Sequence, residues 1–264
     1  MRFVAVTCEQ RAVMLARVGA SSAEDLFADV PPAARLMRPL DLPAGMSEID
    51  VLAHVRELAG ANAPAASLVS FAGCGCYDHH VPSVVDHVVR RPEFFTAYTP
   101  YQPEVSQGTL QAIWEYQTGI CELTGMEVAN ASMYDGATAF VEAALMACRV
   151  TGRRGVAVSG NVHPEWLETL GTYAAAGVID VTVCEVPGGC TDASWLAGGA
   201  GGDTAAVMIA SPDRHGTLVD VGAHAEAAHA AGALLVAASN PVLLGVLEPP
   251  GALGADVVVG AGQP

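Results

Sequence analysis

The chain of 264 residues contains no lysine; all twelve of its basic residues are arginine, from Arg2 to Arg214. No part of it can therefore form a lysine Schiff base, and the one amine side chain whose pKa is readily lowered for nucleophilic work is missing. Positive charge is scarce as well: 28 acidic residues leave a formal charge of −16. At long range such a surface repels a phosphate backbone or an anionic membrane, so neither nucleic acid nor membrane is the expected partner. The chain lacks an apolar leader core and any run of eighteen uncharged apolar residues, so it reads as an untargeted cytoplasmic protein. Its seven cysteines include no CxxC pair, and Cys74 and Cys76 are one glycine apart, too tight for a relaxed disulfide. Reduced thiols are expected. In that glycine turn, close packing is favoured over reactivity because no cation adjoins the two thiols.

With 52% hydrophobic residues, the chain has the material for a large buried core. Its first 105 residues read as a helical arm followed by a loop-rich segment, and residues 106–264 as a large α/β domain that is incomplete at its carboxyl end. In the arm, Ser47 and Asp50 open a helix whose apolar stripe is Ile49, Leu52, Val55 and Leu58. Residues 70–107 are rich in Gly, Pro and Tyr and show few regular periods. From Ser106 a helix carries Leu110, Ile113, Trp114, Ile120 and Cys121 on one face and closes at Gly125. A second helix follows Asp135, and its run GATAFVEAALMAC is apolar nearly all round, as a helix buried on most sides requires. Next come continuously apolar strands at 156–159, 181–184, 205–210, 233–238 and 257–259, with helices at 164–175 and 221–231. This pattern belongs to a parallel sheet covered on both faces. The Gly198–Gly202 stretch reads as a surface loop, since no Lys-Ser or Lys-Thr follows it to make a phosphate cradle. The last strand, in ADVVVGAGQP, has nothing after it to pair or cover it, so either the sheet continues in a larger domain or a partner completes it.

Several groups of residues carry possible chemistry. Asp78, His79 and His80 have metal-ligand chemistry, and with His163 they would suit a metal-dependent hydrolase; against this, successive residues point in different directions and no second carboxylate cluster follows. His163 lies just past a strand, where a parallel sheet presents side chains at its carboxyl edge, although a histidine there more often simply starts a helix. The Asp135–Thr138 turn offers backbone N–H groups either to a phosphate or to an ordinary N-cap. Tyr98, Thr99, Tyr101, Gln102, Glu104 and Gln107 form a dense set of hydrogen-bonding side chains held extended by Pro100 and Pro103, either a rigid surface linker or a recognition segment.

The segments SFAGCGCYDHHVP and YTPYQPEVSQGTLQAIWEYQTGICELTGMEVANASMYDGATAFVEAALMA closely resemble the P-protein family of the glycine cleavage system, in its subunit 1 form. The resemblance continues upstream through MLARVGASSAEDLFADVP and LPAGMSEIDVLAHVRELA, and downstream through VSGNVHPEW and SNPVLLGVLEPPGALGADVVVGAGQP. It implies an aspartate-aminotransferase-like fold of the pyridoxal 5′-phosphate (PLP) type I class. It also implies a share in a glycine dehydrogenase (decarboxylating) reaction that passes an aminomethyl group to the lipoyl arm of the H-protein. In that family the PLP lysine is carried by subunit 2, so this chain would bind no cofactor, supply no catalytic residue and be inactive alone. An inert scaffold is the alternative. Thr138, His163 and Asn240 then read as remnants of a cofactor site, with Asn240 where an acid would meet the pyridine nitrogen. Tyr98, Thr99, Tyr101, Gln102, Glu104 and Gln107 would shape a shared pocket or the interface with subunit 2.

Overall fold

The computed structural model describes residues 5–69, 71, 77–186, 189, 191–193 and 202–263. Cys74, Cys76 and all of the Gly198–Gly202 loop except Gly202 lie outside the described residues. By compactness the chain divides into units of residues 1–69 and 70–264.

In the first unit, α1 (Cys8–Val18) begins with a reciprocal capping box between Thr7 and Gln10 and ends at left-handed Gly19. α2 (Glu48–Gly60) begins where Ser47 predicts, its hydroxyl accepting the Asp50 N–H. The reciprocal half of the predicted box is absent, because the Asp50 carboxylate accepts the Ser47 hydroxyl instead. Neither helix buries a residue: Ile49 is 80% exposed, and Leu52, Val55 and Leu58 are exposed too.

In the second unit, α3 (Ser83–Val89) and α4 (Pro92–Phe95) occupy part of the stretch that the sequence showed as irregular. Seven and four residues are too few to display a helical period, and neither helix buries a side chain that would reveal a face. α5 (Gln107–Thr124) ends at Gly125, whose φ of 71° is left-handed. α6 (Gly136–Thr151) buries Phe140, Val141, Ala143, Ala144 and Ala147, as its nearly all-apolar sequence requires.

The sheet contains β1 (Gly155–Ser159), β2 (Asp180–Cys184), β3 (Thr204–Ala210), β4 (Leu234–Ala238) and β5 (Val257–Val259) in the order β2-β1-β3-β4-β5, and every pairing is parallel. β1, β3 and β4 are apolar along most of their length because both of their faces are covered, whereas β2, at the sheet edge, is largely exposed. Val156, Val158, Met208 and Val236 pack with Phe140 and with Leu170 of α7 (Pro164–Ala175). Their alternating neighbours Ala157, Val207, Ile209 and Leu235 pack against Val221, Ala225 and Ala228 of α8 (Val221–Ala230). The α/β class with a mainly parallel sheet after a helical N-terminal segment is the one the sequence predicts. Because all five strands run in one direction, residues 159–163, 211–217, 239–242 and 260–262 gather at the carboxyl edge of the sheet.

Candidate functional site

The strand order reverses direction between β1 and β3, and ligands of open α/β sheets bind in the crevice outside the carboxyl ends of the strands at such a point. Here a buried polar network bridges the crevice. Asn161, just past β1, donates from Nδ2 to Asp213 Oδ2 at 3.0 Å and to the Gly189 carbonyl at 2.9 Å. Its own carbonyl accepts the Arg214 N–H at 3.0 Å. Asp213 Oδ1 accepts the backbone N–H groups of His215 and Thr217 at 2.9 and 3.0 Å. Beneath them the Ser159 and Thr191 hydroxyls lie 2.8 Å apart. Asn161 and Asp213 are each 4% exposed, so the carboxylate is held by N–H donors in place of water. Ser211 secures the same loop by bonding both the N–H and the carbonyl of Val219.

Sequence reasoning missed Asn161 and Asp213. The available signal was their position, each two or three residues past an apolar strand, but their pairing spans 52 residues and no local spacing encodes it. Cys184, at the end of β2 on the same edge, is no ready nucleophile, because burial raises its thiol pKa.

Thr138, His163 and Asn240 all reach the carboxyl edge, on different elements. Thr138 is in the first turn of α6, where its N–H is capped by Asp135 Oδ1 at 2.8 Å and its hydroxyl bonds back to Asp135. His163 is the N-cap of α7, with Nδ1 accepting the Glu165 N–H at 3.3 Å. The two helix starts meet: a methyl on Gly136 would collide with the indole of Trp166, and that ring stacks at 49° on Phe140 with centroids 5.6 Å apart. Asn240 follows β4, two strands over from β1, and its Oδ1 accepts the Val242 N–H at 3.0 Å.

These residues do not fit a PLP group. The first turn of α6 already holds the Asp135 carboxylate, which carries the same sign of charge as a phosphate and takes up its N–H donors. Asn240 is a neutral amide that cannot hold a ring nitrogen protonated as an acid does, and none of the 264 residues is a lysine that could bind the aldehyde.

Tyr98, Thr99, Tyr101, Gln102, Glu104 and Gln107 lie before and at the start of α5, all exposed, Tyr98 by 82% and Tyr101 by 77%. The two tyrosine rings stand 6.4 Å apart at 46°. None of the six makes a side-chain hydrogen bond to any described residue. Asp78, His79 and His80 are exposed, and among the described residues no three His, Cys, Asp or Glu side chains gather as a metal site.

The sequence profile of the glycine cleavage system P-protein matches residues 1–264. Two relatives, each named "Probable glycine dehydrogenase (decarboxylating) subunit 1", are 52% identical over 267 residues in Azorhizobium caulinodans and 48% identical over 263 in Geobacillus kaustophilus. Both matches cover 100% of this chain and 59% of the relative. The crystal structure of an inhibitor-bound glycine decarboxylase (P-protein) of the glycine cleavage system is 51% identical and superposes with a TM-score of 0.89, again over 100% of this chain and 59% of that one. The chain therefore spans about three-fifths of the length of the proteins it matches, and it belongs to the glycine cleavage system P-protein family.

Proposed function

We propose that this chain serves as the subunit of a glycine decarboxylase that holds no cofactor, with the PLP lysine supplied by a partner, subunit 2. The complex would decarboxylate glycine and pass the aminomethyl group to the lipoyl arm of the H-protein in the cytoplasm. PLP, bound by the partner, would supply the electron sink for decarboxylation. The observation that carries this reading is the complete absence of lysine from a chain 52% identical to a glycine dehydrogenase subunit. The carboxylate at the start of α6 and the neutral Asn240 support it from the side of geometry.

In this reading Thr138, His163 and Asn240 are remnants of a cofactor site now closed by the chain's own hydrogen bonds. The work of the chain falls to Tyr98, Thr99, Tyr101, Gln102, Glu104 and Gln107, whose exposed and unbonded polar groups are available to a partner subunit or to a pocket shared with it. The test is reconstitution with a separately produced subunit 2 and lipoyl H-protein. Glycine-dependent release of CO2 should require both subunits, and PLP should titrate into subunit 2 alone. Replacing Tyr101 and Gln102 together by alanine should lower that activity at least about tenfold, the loss of a few polar contacts, while leaving the circular dichroism unchanged. Full activity of subunit 2 without this chain, or PLP binding to this chain alone, would refute the proposal.

A further inference from the structure

The stretch Tyr98–Gln107 ends as one continuous piece with α5. The Leu110 N–H donates to the Ser106 carbonyl at 2.9 Å, and a single 3-10 turn over Pro103–Val105 joins that helix start to Gln102, whose carbonyl accepts the Val105 N–H at 3.2 Å. Wherever α5 lies, the residues at its start go with it. The helix is lightly held along its length, for of its 18 residues only Thr124, the last, is buried. Its closest contact is at that carboxyl end, about 27 Å from its start at the rise of an α-helix. There the Thr124 carbonyl accepts the Gly251 N–H at 2.9 Å, and the two backbones leave no clearance. A methyl on Gly251 would lie 2.5 Å from the Gly125 carbonyl oxygen and 2.9 Å from that of Thr124. Gly251 is not among the residues with positive φ, so its conformation would admit any side chain, and the contact alone demands glycine.

The loop that seats the helix is fixed to the sheet. Within it the Gly254 N–H donates to the Gly251 carbonyl at 3.1 Å and the Ala255 N–H to the Pro250 carbonyl at 3.0 Å. Asp256 then ties it to β4 and α8: its N–H donates to the Leu235 carbonyl at 3.0 Å, and its Oδ2 accepts the Leu235 N–H at 2.7 Å and lies 2.8 Å from His229 Nε2. The end of α5 is thus located against the sheet by a backbone contact that no rotating side chain can relax. We infer that Gly251 is a positioning residue, whose contact with the end of α5 sets where the far end of the helix presents Tyr98, Thr99, Tyr101, Gln102, Glu104 and Gln107, an inference that rests on the role proposed for these six as the surface facing subunit 2. A side chain at position 251 would displace the α5 backbone by about 1 Å, because non-bonded atoms settle about 3.5 Å apart. A rod seated at one end carries such a shift along its whole length.

The experiment sets Gly251→Ala beside Gly155→Ala, whose methyl would meet the Asp203 carbonyl oxygen at 2.9 Å, a backbone clash of the same kind at the start of β1. Spin labels on ketone-bearing residues at the exposed positions Gln111 and Glu226 report the distance from α5 to α8 in this chain alone. Gly251→Ala should change that distance by at least about 1 Å. In the complex reconstituted with subunit 2 and lipoyl H-protein it should also raise, at least about fivefold, the concentration of this chain that half-saturates activity or the KM for glycine. Gly155→Ala should lower the stability of the chain and produce neither change. If Gly251→Ala does not fold, Gly125→Ala takes its place, since its methyl would lie 3.0 Å from Pro249 Cβ and 3.1 Å from the Ala252 nitrogen, and it should produce both changes. An unchanged distance in the folded variant, a changed distance with unaltered saturation and KM, or equal losses from Gly155→Ala would overturn the inference. Full activity of the Tyr101→Ala, Gln102→Ala double variant would instead refute the role proposed for the six residues, and the inference would fall with it.

Discussion

The two helices of residues 8–60 and the helices around the sheet differ little in the quality of their local signals and completely in what they bury. α1 and α2 have well-formed caps, and α2 a readable apolar stripe, yet neither encloses a side chain, and Ile49 is 80% exposed. α6 is also well capped, by Asp135, but Phe140, Val141 and Ala144 on it are fully buried. Caps and periodicity fix where a helix starts and which face is apolar. They do not fix whether that face finds a cover within the same chain, and here the difference divides a stabilising core from surface that awaits contact.

Substitutions can break or sharpen this contrast. Phe140→Ala empties a fully buried site stacked on Trp166 and should cost about 3–5 kcal/mol in urea unfolding. Asp213→Ala strands the Asn161 amide and the N–H groups of His215 and Thr217, and about 3 kcal/mol should be lost, whereas Asp213→Asn should recover part of it by keeping one acceptor oxygen. Gly136→Ala pushes a methyl into the Trp166 indole, for a loss of about 1–3 kcal/mol that Trp166→Leu should relieve in a double-mutant cycle. At the other extreme, Ile49→Ser on α2 should change the stability of the isolated chain by no more than about 0.5 kcal/mol. A loss as large as that of Phe140→Ala would show that the stripe is covered in solution and would erase the contrast.

The P-protein resemblance and the missing lysine were visible in the residues themselves, as were the buried character of α6 and the apolar strands. Helices α3 and α4 were not, being too short to repeat a period. Nor was the Asn161–Asp213 bridge: the chain places its two members 52 residues apart, and only the parallel sheet brings the ends of β1 and β3 together. Thr138 shows the same division from within a single turn. The sequence left that turn open between a phosphate cradle and an N-cap, and only the folded chain shows the Asp135 carboxylate accepting the Thr138 N–H as a cap.

By itself, then, the sequence determined the longer helices and the strands around the sheet, which faces of them are apolar and which side-chain chemistry is absent, because these follow from residue identity and short-range period. Only the tertiary structure decided that the crevice at the strand reversal is closed by a carboxylate held by N–H groups, and that the Arg214 N–H meets the Asn161 carbonyl across it. Both depend on which distant backbone groups become neighbours when the sheet assembles, and long-range pairing leaves no periodic trace along the chain.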